Sequence, residues 1–228
     1  MAWSYLKGII KMTETKSYVF KMERPVHVVN LLDGSSRFSI PREVHNSLIK
    51  KITDMSNIGD SQNGKSNING FHSDRYMNIK DKEFDVLSGY AMQIASKLYG
   101  EYISLKQEKR KEGIRNVKFQ KGACWGMSFG KGDSVKEHNH ISALWAWSYY
   151  LQTPVGSSPL VFPQADLEIY PKEGDIIIFD GNLIHSVPPC ECEEKRLVIA
   201  GNIEIVPEVL SFGDSRLITN LNQDYDKF

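Results

Sequence analysis

The sequence predicts a mainly β protein of the sandwich or jelly-roll type, with helices from its N-terminal half packed on one sheet. After residue 114 the chain alternates short β-like runs with turns rich in Gly, Pro, Asp and Asn. This pattern is typical of antiparallel sandwiches rather than of alternating strands and helices. Before that point, two segments carry apolar residues at helical spacing. A helix with one apolar stripe must bury it, and a sheet face is the expected partner.

The composition fits one soluble domain with an ordinary core. The chain has 228 residues, of which 41% are hydrophobic, and its 28 basic residues balance 28 acidic ones. Because strong binding to a phosphate backbone needs clustered basic charge, we expect no strong nucleic-acid binding. We find no apolar run long enough for a membrane and no signal-peptide pattern. Three cysteines are too few for a disulfide framework, which favours a cytoplasmic, reducing compartment.

The first third of the chain is expected to begin with strands and to continue into a helix. Residues 17–32 carry a β-rich pattern, and residues 33–36 then form a turn. Pro41 and Glu43 mark a helix start, because proline is tolerated in a first turn and an acidic side chain suits the N-terminal dipole. The apolar positions at helical spacing are Val44, Leu48, Ile49 and Ile52.

A loop and a long helix follow. Residues 57–70 are rich in Gly, Asn and Ser, which predicts an exposed and mobile loop. A helix is then expected from Asp81 to about Lys109, ending in a solvated run of charges. Its apolar stripe consists of Phe84, Leu87, Ala91, Ile94, Leu98, Tyr102 and Leu105.

The remaining strands are predicted to form the jelly-roll core. The β-like runs are 115–121, 124–130, 144–152, 159–162, 167–170, 175–180, 184–187 and 195–206. We therefore divide the chain into N-terminal strands and supporting helices (1–113), a jelly-roll core (114–206) and a polar C-terminal tail (207–228). All three belong to one structural domain.

Three histidines are candidate metal ligands. His138 and His140 are two residues apart, so in an extended strand both imidazoles leave the same face. His185 follows at the end of an apolar run, and a jelly roll brings such distant strand ends together. Three imidazoles on one side of an ion leave positions open for substrate or oxygen. The other histidines, at positions 27, 45 and 72, have no matching partner and are interpreted as surface or core residues.

The surroundings of these histidines carry a resemblance to a known family. The matching motifs are His138-Asn139-His140, Ser148-Tyr149-Tyr150-Leu151, His185-Ser186-Val187-Pro188 and Arg196 with Asn202. Together they resemble the iron(II)- and 2-oxoglutarate-dependent oxygenases, in a little-characterised branch, over roughly residues 120–206. Residues 70–73 match only loosely. The resemblance implies a double-stranded β-helix, bound Fe(II), 2-oxoglutarate as cosubstrate and O2.

The ligand pattern departs from most of that superfamily. Where His140 stands, most members carry Asp or Glu, and an imidazole does not offset the charge of the ion. Three-histidine sites activate oxygen in other β-barrel dioxygenases, so a dioxygenase that does not use 2-oxoglutarate remains an alternative. Glu137 points to the opposite face of a regular strand, and it ranks below His140 as a ligand, as do Asp133 and Asp180.

The resemblance implies that Arg196 binds the far carboxylate of 2-oxoglutarate. A planar guanidinium can hold a carboxylate through two charge-assisted hydrogen bonds. One face of the predicted strand carries Arg196, Val198, Ala200 and Asn202. The other face carries Leu197, Ile199, Ile203 and Ile205. Arg196 beside the small apolar residues Val198 and Ala200 predicts a narrow slot with one charged end. The alternative role for Arg196 is a surface salt bridge.

The strand 144–152 supplies the other cosubstrate-binding candidates. Ser148 and Tyr150 are placed on its inward face, with the Tyr150 hydroxyl helping Arg196 to hold the carboxylate, as a tyrosine does in relatives of the prolyl-hydroxylase type. Asn202 is the fourth candidate. Trp145 and Trp147 fall on the opposite face, where packing against the helix stripe is expected and lining the mouth of the substrate site is the alternative.

The sequence therefore predicts an iron- and 2-oxoglutarate-dependent oxygenase that hydroxylates an amino-acid, peptide or small-metabolite substrate. His138, His140 and His185 are the predicted metal ligands and catalytic centre. Arg196, Tyr150, Ser148 and Asn202 are the predicted cosubstrate ligands. The alternatives are the three-histidine dioxygenase and a non-catalytic, cupin-like binding module.

Overall fold

The computed structural model describes residues 24–34, 36, 38–59, 67–107 and 118–206, with the backbone alone described for 101–107. The predictions for the start of the chain and for the C-terminal tail lie outside these residues. The described part contains the following elements in chain order, besides a 3-10 turn at Pro163–Ala165: β1 Val26–Asn30, α1 Arg42–Ile58, β2 Ile68–Asn69, β3 Phe71–His72, α2 Met77–Lys80, α3 Lys82–Gln107, β4 Lys118–Phe129, β5 Ser134–His138, β6 Trp145–Gln152, β7 Leu160–Phe162, β8 Leu167–Ile169, β9 Asp175–Asp180, β10 His185–Val187 and β11 Arg196–Val206.

The strands form two antiparallel sheets. The larger sheet has the order β1-β9-β6-β11-β4-β3, and the smaller one has the order β2-β5-β10-β7-β8. The order interleaves strands that are far apart in sequence, as expected of a jelly roll. The predicted fold class, a double-stranded β-helix with N-terminal helices packed on one sheet, is confirmed. The N-terminal strands β1, β2 and β3 are paired with core strands in both sheets.

The helices cover the outer face of the larger sheet. The carboxylate of Asp81 accepts hydrogen bonds from the backbone N–H groups of Glu83 and Phe84, which caps α3. One apolar cluster joins the helices to the outward side chains of the sheet, including Trp145 and Trp147. A second cluster fills the space between the sheets. The alternation predicted for β6 is therefore confirmed, because Tyr150 belongs to the second cluster and the two tryptophans pack with the helices.

The element boundaries correct several local predictions. The loop predicted for 57–70 is shorter, because α1 continues to Ile58 before a left-handed Gly59 (φ 74°), and Ile68 and Asn69 pair with β5; residues 60–66 lie outside the described part. The two strands predicted at 115–121 and 124–130 are one continuous strand, β4. Near Gly122 the pairing of β4 with β11 shifts register, and the strand continues past the glycine.

Two of the three cysteines are bonded to each other. Cys190 and Cys192 form a disulfide, a bond that the sequence analysis did not anticipate. Cys124 is a free thiol, and burial raises its pKa to about 12. Among the described residues, no helix has the length and apolar character needed to cross a membrane.

His45 connects α1 to the large sheet and is fully buried. Its Nδ1 lies 2.8 Å from the Tyr149 hydroxyl, and its Nε2 lies 3.4 Å from a carboxylate oxygen of Glu173. Burial lowers the pKa of His45 below its ordinary 6.5 despite this carboxylate. The interpretation of His45 as a core histidine is consistent with these contacts.

Acidification is expected to destabilise the protein through His45. The unfolded chain protonates this ring near pH 6.5, whereas the folded chain keeps it neutral to lower pH. Below pH 6.5 the unfolded state therefore binds more protons than the folded state. As a result, the free energy of unfolding decreases as the pH is lowered, by on the order of 1 kcal/mol per pH unit. Urea unfolding of the parent protein and of His45→Gln, at neutral and mildly acidic pH, measures this. An equal loss of stability in both proteins would contradict the assignment.

Candidate metal and cosubstrate site

The three candidate ligands converge at one end of the small sheet. His138 ends β5 and His185 opens β10, and the two residues are direct cross-strand partners. Their ring centroids are 4.2 Å apart, and the ring of His140 lies 5.2 Å from His138 and 5.1 Å from His185. One nitrogen from each ring falls within 4.8 Å of the other two, a grouping that could hold a metal ion. The predicted convergence of distant segments is present.

Two of these imidazoles are held in a defined tautomer. Nδ1 of His138 lies 2.9 Å from the carbonyl oxygen of Lys136, and Nδ1 of His185 lies 2.9 Å from that of Leu183. A carbonyl oxygen can only accept, so each Nδ1 carries the proton and donates it. The lone pair is therefore on Nε2 in both rings, as a metal-binding imidazole requires.

Burial keeps the site histidines neutral. Desolvation is the largest cause of the lowered pKa in all three, and the neighbouring His138 lowers the pKa of the other two further. The pKa of His140 falls to about 4 and that of His185 to about 3. Because a metal must displace any proton from its ligand, three rings that are neutral near pH 7 suit a cation site.

The backbone around His140 is not the one predicted. β5 ends at His138, so His140 lies in the following turn and not on a continuous strand. Its ring nevertheless reaches the cluster, because its backbone N–H donates to the carbonyl of Gly181 at 2.7 Å and its carbonyl accepts from Ala143 at 3.0 Å. Gly181 is therefore the docking point of the turn that carries His140.

Gly181→Ala is expected to displace that turn and to weaken the site. A Cβ at this position would lie 2.3 Å from the carbonyl oxygen of Ala143 and 3.0 Å from that of His140, both backbone atoms with little freedom to move. We expect a loss of stability of about 1–3 kcal/mol and a fall in iron affinity of about tenfold, measured by urea unfolding and iron(II) titration. The matched control is Gly89→Ala, whose Cβ meets nothing within 4 Å. Equal iron affinity in the two variants would contradict the docking role.

A cavity of about 630 Å³ opens beside the histidine cluster. Trp125 forms part of its wall, with its ring stacked between His140 (centroids 5.8 Å apart) and His72 (5.7 Å apart). Its indole Nε1 is buried without a hydrogen-bond partner. Arg75 also lines the cavity, and its charge lowers the pKa of His72 and His140.

Arg196 lies inside the barrel, away from solvent. It is 1% exposed, and its guanidinium carbon lies 5.4 Å from the ring centre of Phe129 and 5.2 Å from that of Tyr150. Burial lowers its pKa, and a hydrogen bond from the guanidinium to the Tyr150 hydroxyl opposes the shift. Its Nε has no partner, and no ion pair recorded among the described residues involves it. The alternative role of a surface salt bridge does not fit a side chain so placed.

The remaining predicted cosubstrate residues divide into two groups. Ser148 hydrogen-bonds the hydroxyl of the fully buried Tyr150, so both belong with Arg196 in the barrel interior. Asn202 lies instead in the cavity wall beside His140, and it raises the pKa of that histidine. The Oδ1 atom of Asn202 makes no hydrogen bond of ordinary geometry. The cavity itself contains neither Arg196 nor Tyr150 in its lining.

The weaker ligand candidates lie outside the histidine cluster. Glu137 is exposed and outside the cluster. Asp133 accepts a hydrogen bond from the Gly130 amide, and Asp180 pairs with Arg24 at 3.0 Å. Sequence reasoning missed the cavity residues Arg75 and His72. The only signal in the sequence was the loose family match at residues 70–73. In the structure these residues include β3, which pairs with β4.

Comparisons with known proteins agree with this geometry. Residues 123–202 match the family model described as a putative 2OG-Fe(II) oxygenase. None of the curated proteins matches the chain. The solved structures that share the fold include a prolyl-4-hydroxylase from Pseudomonas putida, with a TM-score of 0.54 and 12% identity over 81% of this chain and 94% of that one.

Two further structures have the same architecture. One is the viral collagen prolyl hydroxylase of Paramecium Bursaria Chlorella virus-1 in complex with 2OG, with a TM-score of 0.51 and 16% identity over 79% of this chain and 96% of that one. The other is the non-heme alpha-ketoglutarate-dependent epimerase SnoN from nogalamycin biosynthesis, with a TM-score of 0.58 and 9% identity over 83% of each chain. At these identities the likeness shows the fold.

The family match and the fold together confirm the resemblance to the Fe(II)/2-oxoglutarate-dependent oxygenase superfamily that the sequence motifs indicated. The matched residues include all three histidines, Tyr150 and Arg196. The description of the matched family names iron(II) and 2-oxoglutarate, the two cofactors that the sequence motifs imply.

Proposed function

We propose that this chain is an iron(II)- and 2-oxoglutarate-dependent hydroxylase, with His138, His140 and His185 as the metal ligands. The observation that carries the proposal is the convergence of three neutral imidazoles within 4.8 Å, from two strands and a turn. Nitrogen donors of this type suit iron(II). Without a carboxylate among them, the full double charge of the ion is left to attract an anionic cosubstrate.

We further propose Arg196 and Tyr150 as the binding site for the far carboxylate of 2-oxoglutarate. A buried guanidinium without a counter-charge is costly, and an incoming carboxylate would remove that cost with charge-assisted hydrogen bonds. Ser148 would orient the Tyr150 hydroxyl towards this pair. Asn202 would act on the other side, in the cavity wall, where its amide faces the substrate side of His140.

When bound, iron and 2-oxoglutarate supply an oxidative decarboxylation in which O2 gives one atom to succinate and one to a substrate C–H bond, with release of CO2. The residues of this chain position the reactants. The carbonyls of Lys136 and Leu183 orient two ligand rings. The apolar cluster between the sheets excludes water around Arg196. The 630 Å³ cavity holds the substrate next to the ligand rings.

Formation of succinate tests the proposal. The purified protein with iron(II), ascorbate, O2 and 2-oxoglutarate is expected to release succinate and CO2, slowly without substrate and faster with one. Substrate oxidation without succinate would instead support the three-histidine dioxygenase, which the buried and unpaired Arg196 disfavours. The absence of both metal binding and succinate would support a non-catalytic binding module.

A further inference from the structure

A second cavity, of about 670 Å³, is next to the cavity beside the histidine cluster. Tyr76 and Glu204 line both cavities and define the junction between them. Binding sites for small molecules occupy about 300–1,000 Å³. Each cavity alone falls in that range, and the two together exceed it. Joined into one cleft, the two cavities would have more volume than a free amino acid or a small metabolite requires.

The second cavity lies beside an unpaired strand edge. Residues 118–122 of β4 pair with β11 on one side. On the other side β3 pairs with Met127 and Ser128, the segment after β3 hydrogen-bonds Gly126 and Cys124, and the Asn78 amide donates to the Gly122 carbonyl at 3.2 Å. Within the described part of the chain, no strand pairs with this side of residues 118–121, which are therefore the free edge of β4. Gln120 and Lys121 of the edge line the cavity. An extended peptide can add to a strand edge through main-chain hydrogen bonds.

Exposed apolar side chains are concentrated around this cleft. Of the nine large hydrophobic residues that are exposed in the described part, four line the two cavities. They are Tyr76, Ile79, Ile141 and Ile205. Such clustering marks an interaction surface, whereas scattered exposed residues would need no explanation.

The charged side chains that line the first cavity are Arg75 and Glu204. Arg75 is exposed in the first cavity, and its side chain makes no recorded hydrogen bond or ion pair with any described residue. Arg75 lines the same cavity as His138 and His140, which places it at the metal-ligand end of the cleft. The acidic residue Glu204 lies at the junction and accepts a hydrogen bond from Gln120 at 2.9 Å.

We propose that the two cavities form one cleft whose occupant is an extended polypeptide substrate, bound along the free edge of β4 with an acidic side chain at Arg75. This inference rests on the proposed function and names its substrate class. The residue to be hydroxylated lies over the histidine cluster, and the acidic side chain is a near neighbour of it in the peptide.

A pool of short synthetic peptides of randomised sequence tests the proposal, against a pool of free amino acids. The peptide pool is expected to raise succinate formation, and mass spectrometry is expected to find peptides that gain one oxygen atom. Among these, Asp and Glu are enriched next to the modified residue. Arg75→Gln raises the KM for such a peptide about tenfold, as expected for the loss of a charge-assisted hydrogen bond. Arg75→Lys restores part of the affinity.

Lys50→Gln is the matched control, since Lys50 is an exposed cation on α1 that pairs with Asp54. Stimulation by free amino acids but not by peptides overturns the proposal, as does an oxygenated set without acidic enrichment. Equal KM values for Arg75→Gln and Lys50→Gln overturn the role of Arg75. If the parent protein binds iron(II) and 2-oxoglutarate but no peptide stimulates succinate formation or gains oxygen, this inference alone fails. If it binds neither, the proposed function fails with it.

Discussion

Replacing His185 with alanine is expected to abolish tight iron(II) binding and, with it, succinate formation. His185 is 5% exposed, sits opposite His138 across two paired strands, and contributes one of the three nitrogen atoms of the cluster. Changing an outer partner of a metal ligand already costs about 10–100-fold in metal affinity. Loss of a ligand itself should therefore lower iron affinity by about a hundredfold or more.

Metal content and fold are measured together for His185→Ala. Iron is titrated anaerobically against a competing chelator, and the circular dichroism and urea midpoint report the fold. His27→Gln serves as the control, because His27 lies on β1 with its ring 6.4 Å from Trp145 and outside the cluster. Normal iron affinity in His185→Ala would remove this residue from the site, and loss of iron in His27→Gln would show that the effect is not specific.

Arg196→Met is expected to raise stability and to abolish 2-oxoglutarate binding at the same time. Methionine keeps an unbranched apolar side chain and removes the buried, unpaired charge. Replacing buried ionic groups by apolar ones stabilises proteins by about 1–4 kcal/mol. The loss of two charge-assisted hydrogen bonds should weaken 2-oxoglutarate by on the order of a hundredfold or more.

A gain in stability together with a loss of 2-oxoglutarate binding is not expected of a residue that only supports the fold. Thermal unfolding is measured with and without 2-oxoglutarate, in the presence of iron(II), and iron affinity is measured separately. We expect the ligand to stabilise the parent protein and not Arg196→Met, while iron binding persists in both. Lys195→Met is the control, because Lys195 is an exposed neighbour. A destabilised Arg196→Met that still responds to 2-oxoglutarate would show that Arg196 is structural.

Strand faces and helix stripes could be predicted because they depend on local period. In β6, Ala146 and Tyr150 turn into the barrel while Trp145 and Trp147 meet the helices, as alternation requires. The stripe of α3 is buried from Phe84 to Ile94 for the same reason. The extents of β4 and β5 could not be predicted, because partner strands set them through pairing.

The site was predictable in its residue types but not in its shape. The motif spacing named the three histidines and Arg196, and the structure brings the histidines together. The sequence argument for His140 assumed a regular strand, whereas a turn held by Gly181 positions it. The cavity depends on Arg75 and other residues from segments distant in sequence, which no local pattern reveals.

The central claim is that one iron(II) is held by three imidazoles with 2-oxoglutarate bound next to it. An anaerobic titration of the protein with iron(II) and then 2-oxoglutarate, followed in the visible range, tests it directly. We predict a weak charge-transfer band that saturates at one iron and one 2-oxoglutarate per chain and is absent from His185→Ala. No band in the parent protein at saturating iron(II) and 2-oxoglutarate, or an equal band in His185→Ala, would contradict the account.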